Sequence, residues 1–227
     1  NACGDTASEA FSFSTVAAPG DCPVGMQTTP PVFFAEFSDG LGDFVTTGSI
    51  GSATWTVSHS SPGPGSGGNA ALAQDLTTAS DQRLTSPAIA VPSDLEQPTL
   101  RFFNAINVEP NSSSGCWDGG LLEISTDSGT NFTQITGAAL LTQPYTANAP
   151  SANPLSGKPV WCGASVPWKA NVVDLSAYAG QSVSLRWRLG TDSLVGFVPD
   201  GWRIDDVMVR GCEPAGPDVR VFRNGFE

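Results

Sequence analysis

At 227 residues the chain is long enough for one large β domain or two small ones, and a core of that size needs no staples. A net charge of −12, with Lys158 and Lys169 the only lysines, excludes the basic footprint that nucleic-acid binding requires. No apolar run reaches membrane-spanning length, and 14% charged residues beside 25 Gly and 18 Pro point to short strands separated by turns.

Residues 1–30 read as an extension preceding the domain. AFSFSTVA alternates, placing Phe11 and Phe13 on one face, with Val16 close behind. Pro19-Gly20 and Pro30-Pro31 separate this strand-like segment from the rest of the chain. It therefore either folds back on its own domain or adds to the sheet edge of a neighbour.

VFFAEFSDGLGDF (32–44) is predicted as the first strand, entering an acidic turn, and SATWTVSH (52–59) as the second. AALAQDL (70–76) and QRLTSPAIAV (82–91) follow as short strands, and TLRFFNAINV (99–108) as a longer one near the middle of a sandwich. GGLLEISTDSGTNFTQITG (119–137) reads as a hairpin that turns at Asp127-Ser128-Gly129, with Leu122 and Ile124 inward and Glu123 and Ser125 outward. Residues 138–166 form a long Pro-, Ala- and Asn-rich insertion.

The clearest signal is QSVSLRWRLG, where Val183, Leu185, Trp187 and Leu189 share one face and Ser182, Ser184, Arg186 and Arg188 the other. GWRIDDVMVR continues in the same way, with Trp202, Ile204 and Met208 on one face. That face also carries Asp206, a carboxylate where an apolar residue is expected. The whole is an all-β sandwich spanning 31–212, with a tail at 213–227.

Five cysteines without a CxxC pair, in a chain with one histidine, argue against zinc and for the disulfides of an exported protein. The odd count leaves one thiol free or paired with another molecule. A start at Asn1 is taken as a mature secreted chain whose signal peptide has been removed. Cys116 is paired with Cys162, because a long irregular loop gains most from such a tie.

Chemistry for catalysis is missing from the sequence. His59 is flanked by serines without a GxSxG elbow, and HExxH and phosphate-binding glycine loops do not occur. The tryptophans at 117, 161 and 168 remain candidates for a sugar-stacking face, while Trp187 and Trp202 fall on core positions. No catalytic residue is assigned.

FSDG, QRLTSPAI, LRFFNAIN, DGGLLEISTDSG, VVDLSAYAGQSVSLRWRLGTDS and GWRIDDVMV occur in an order that resembles MAM-type jelly rolls, and most of all bacterial versions appended to immune-inhibitor-A-like secreted peptidases. The resemblance covers about residues 33–210. It implies a two-sheet antiparallel jelly roll serving adhesion, recognition or support, with a structural calcium between first and last strands. The matching ligands are Asp39 and Asp205 or Asp206, with Glu36 and Asp81 within reach, and Ser38 stands where the family often has Glu. Carboxylates and carbonyls suit Ca²⁺, which takes six to eight oxygens.

Two functions are expected from this. One is an extracellular, bacterial-surface structural subunit whose leader adds as a strand to the next copy, with Phe11, Phe13 and Val16 filling pockets, so that head-to-tail contacts build a filament. The other is a glycan- or protein-binding accessory module of a secreted hydrolase.

Overall fold

The computed structural model describes residues 17–51, 54–59, 68–111 and 115–216. The leader residues Phe11, Phe13 and Val16, together with Cys3, lie outside them. Along the chain the strands are β1 (Met26–Thr28), β2 (Phe33–Ala35), β3 (Val45–Gly48), β4 (Thr56–Ser58), β5 (Ala70–Gln74), β6 (Ser80–Thr85), β7 (Ile89–Ala90) and β8 (Glu96–Ile106). Then come β9 (Pro110–Asn111), β10 (Gly115–Cys116), β11 (Gly119–Ser125), β12 (Thr133–Gln134), β13 (Ala147–Asn148), β14 (Pro159–Val160), β15 (Val166–Asp174), β16 (Ser182–Thr191) and β17 (Gly201–Pro214).

Thirteen of these strands form an all-β, two-sheet antiparallel jelly-roll sandwich, and β9–β10 and β13–β14 make two small ribbons beside it. The first sheet runs β15-β8-β17-β5-β4, with β1 and β2 continuing beside β17 beyond the end of β5. The second runs β12-β11-β16-β6-β3, with β7 beside β16. The period-two pattern of β16 is realised as expected: Val183, Leu185, Trp187 and Leu189 are buried between the sheets. Four of the six tryptophans sit in that core. Trp202 packs edge-on to Trp55 at 5.4 Å and against Trp161 at 6.0 Å, and Phe102 packs edge-on to Trp187 at 5.5 Å. Gly120 is needed where Trp202 crosses β11, since a Cβ there would collide with the indole ring.

The outer face of the second sheet is closed by an ion-pair array. Glu123, 1% exposed, meets Arg186, Arg188 and Lys158. Asp81, also 1% exposed, takes both Arg188 (2.7 Å) and Arg83 (2.6 Å). The Arg186 guanidinium lies 3.7 Å over the Phe132 ring. Burial favours the protonated form of Asp81, but hydrogen bonds from Arg188, Arg83 and Ser49 outweigh it and hold the carboxyl well below its usual range.

Two expectations about the chain change. The domain starts before residue 31: Met26–Thr28 pairs with β17, and Cys22 is bonded to Cys212. Gly20, at φ +81°, lies so close to the Val172 side chain that a Cβ would stand 2.6 Å from it. Residues 17–30 thus fold back on their own domain. The stretch 32–44 contributes only a three-residue strand, after which Phe37 and Phe44 turn into the core as a pair 5.3 Å apart. The second disulfide joins Cys116 to Cys162 and pins the 138–166 insertion to the start of β11.

Candidate ligand-binding groove

The alternation expected of β17 holds through Trp202 and Ile204 and then breaks. Asp206 adopts a left-handed backbone, φ +50°, and the register against β8 slips between Asp205 and Met208. A bulge of this kind inserts one residue and flips every side chain after it. Val207 and Val209 therefore take the core positions, and Met208, expected inward, faces outward. Asp206 does not point into the core either. It lines a groove of about 360 Å³ on the outer face of the first sheet.

The groove is built across four strands. Phe34 on β2 stands directly opposite Met208 on β17, and Met208 directly opposite Arg101 on β8, so these three share a row. Phe103 and Ala170 form the next row on β8 and β15. Glu36, just after β2, and Asp206 supply carboxylates to the lining. Phe34 is 52% exposed, whereas core phenylalanines such as Phe102 are 1% exposed. The Asp206 N–H donates to its neighbour's Asp205 Oδ1 at 2.9 Å, and Asp206 Oδ2 is shielded from solvent with no hydrogen-bond partner. A left-handed non-glycine residue with an unsatisfied carboxylate oxygen at a groove is the kind of local cost found where a site does work.

The predicted calcium residues are dispersed. Glu36 and Asp206 both face this groove, Asp39 is exposed in the turn after it, and Asp205 is fully buried beneath the bulge. Asp81 belongs to the other sheet, where two arginines already neutralise it. The five do not converge. Among the described residues, the acidic, histidine or cysteine side chains that do converge in a group of three are Glu109, Asp118 and Asp192. His59 is exposed and pairs with Asn69 at 2.8 Å. Of the tryptophans considered for stacking, Trp117 is 37% exposed, Trp168 is half-buried on β15 and Trp161 is buried.

No family model matches the sequence, and no curated protein does. In solved structures the chain is similar to the K1 cleaved adhesin domain of Lys-gingipain from Porphyromonas gingivalis W83, at 16% identity and a TM-score of 0.48, covering 81% of this chain and 98% of that one. It is also similar to the CBM22-1 xylan-binding domain of Paenibacillus barcinonensis Xyn10C, at 12% identity and a TM-score of 0.42, covering 88% and 100%. A third similarity is to TmCBM61 in complex with β-1,4-galactotriose, at 15% identity and a TM-score of 0.42, covering 79% and 91%.

Proposed function

We propose that the protein is a non-catalytic extracellular module that binds a neutral glycan in the groove on the outer face of the first sheet. The observation that carries this reading is the meeting of the exposed Phe34 ring and the half-buried Phe103 ring with Glu36, Arg101 and Asp206 around one groove. A sugar ring has an apolar C–H face and a rim of hydroxyls. Aromatic faces take the first, and charged donors and acceptors fix the second. The floor is made of strand faces, so side chains and not backbone groups must do the recognising. With a net charge of −12, a polyanionic ligand would be repelled, which favours an uncharged polysaccharide.

Strand addition by a neighbouring copy is less well served. The outer edge of β15 is taken by the chain itself around Val172, since Leu141 and Thr142 donate to Val172 O and Thr142 Oγ1 accepts from Val172 N–H. The edge of β17 beyond β5 is filled by β1 and β2. Among the described residues the other sheet edges are β1, β2, β3, β4, β7 and β12, none longer than four residues. Short edges of this length are poor acceptors.

Both disulfides agree with an oxidising, extracellular setting. No helix among the described residues is long and apolar enough to cross a membrane. Screening the purified chain on arrays of neutral polysaccharides tests the proposal. Binding that is lost in Phe34→Ala supports it, and a chain that binds no glycan, or binds unchanged in that variant, rules it out.

A further inference from the structure

One end of the sandwich gathers carboxylates from both sheets. Asp75 follows β5 and Glu109 follows β8, both strands of the first sheet; Asp118 precedes β11 and Asp192 follows β16, both of the second. Ligand oxygens of Glu109, Asp118 and Asp192 lie within 4.8 Å of one another, and the Asp75 carboxyl lies against that of Asp118. Asp75 and Asp118 are 0% exposed and Asp192 is 7% exposed.

Asp75 and Asp118 each have one oxygen held and one left over, and Asp192 has one oxygen without a partner. Asp75 Oδ2 accepts from the N–H groups of Glu109 (3.0 Å) and Phe197 (3.1 Å), leaving Oδ1 without a partner. Asp118 Oδ1 accepts from Asp192 N–H at 2.6 Å, leaving Oδ2. Asp192 Oδ1 is likewise buried and unpartnered. Ionised carboxylates cannot donate to one another, and no Lys or Arg reaches the group among the ion pairs of the described residues.

We propose that Asp75, Glu109, Asp118 and Asp192 form a calcium site that clamps the two sheets together at this end of the sandwich. All the donors are hard oxygens, with no nitrogen or sulfur among them, and their irregular placement suits Ca²⁺ better than Mg²⁺, which demands near-octahedral geometry. The half-buried Glu109 leaves room for water ligands on the solvent side. The loop carrying Asp118 is fixed in advance. Cys116 is bonded to Cys162, and Asn153 Nδ2 donates to both Trp117 O and Gly190 O at 2.8 Å. This site shares no residue with the groove and stands or falls without the glycan reading.

The test is thermal unfolding of the full, chelator-treated chain as CaCl₂ is added, with Tb³⁺ luminescence sensitised through the adjacent Trp117 as a second readout. A saturable Tm rise of roughly 5–10 °C at about a hundredfold excess over Kd is expected. Asp118→Asn and Glu109→Gln should abolish both signals, whereas Glu36→Gln and Asp206→Asn should keep them. If Asp118→Asn fails to fold, the milder Glu109→Gln still decides. A wild-type chain that responds to neither ion, or a response retained in Glu109→Gln and lost in Glu36→Gln, overturns the inference.

Discussion

Phe34 lies directly across from Met208 in the β2–β17 ladder, and that pairing exists only because the bulge at Asp206 turns Met208 outward. The groove is thus made by one left-handed residue. Since Phe34 is 52% exposed, its truncation removes little core packing. Phe34→Ala should leave stability within about 1 kcal/mol while weakening glycan binding by roughly 2 kcal/mol, the loss typical of an aromatic anchor. Calorimetric titration beside a denaturation curve separates the two effects.

Asp206 itself separates backbone from side chain. Asp206→Gly meets no steric cost at φ +50° and should change stability by about 0.5 kcal/mol or less, whereas Asp206→Val should cost about 1–2 kcal/mol. Both should weaken ligand binding, because both remove the carboxylate. Equal stability for the two would mean that the bulge is not held as described.

Whether a feature is legible in the sequence depends on whether its signal is local. The strand QSVSLRWRLG declares its two faces by alternation alone, and the hairpin at Asp127-Ser128-Gly129 is turned by Ser128 and Gly129, both at positive φ. The bulge leaves a single trace. Asp206 interrupts the apolar period of two set by Trp202, Ile204 and Met208, while the slip itself falls where β17 changes partners from β5 to β2. The acidic cluster is hidden for another reason: its four members are spread from 75 to 192. The one available hint is that each stands at a strand end.

The ion-pair array on the second sheet predicts a pH dependence. The Asp81 carboxyl is depressed in the folded state, so its contribution is fully present above the unfolded value near pH 4 and is lost as pH falls below it. Arg188→Met removes the bidentate partner at 2.7 and 2.8 Å and should cost about 3 kcal/mol at pH 7. The penalty should shrink on acidification. Urea unfolding of both forms between pH 3 and 7 checks it.

Cys22–Cys212 closes a loop of 190 residues, against 46 for Cys116–Cys162. Loop-closure entropy puts the ceilings at about 5 and about 4 kcal/mol. Replacing Cys22 and Cys212 together by serine should lower the unfolding free energy by a few kcal/mol and free residues 17–28 from β17. Hydrogen exchange at Met26–Thr28 should then rise well above that of β8.

Glycan binding in the groove is decided by a chemical-shift map of the labelled chain titrated with a soluble neutral oligosaccharide found on the array. Saturable shifts should be confined to Phe34, Glu36, Arg101, Phe103, Ala170 and Asp206, with the ion-paired face around Glu123 and Asp81 silent. Shifts centred on that second face, or on the loops at the sheet ends with the groove unmoved, would contradict it.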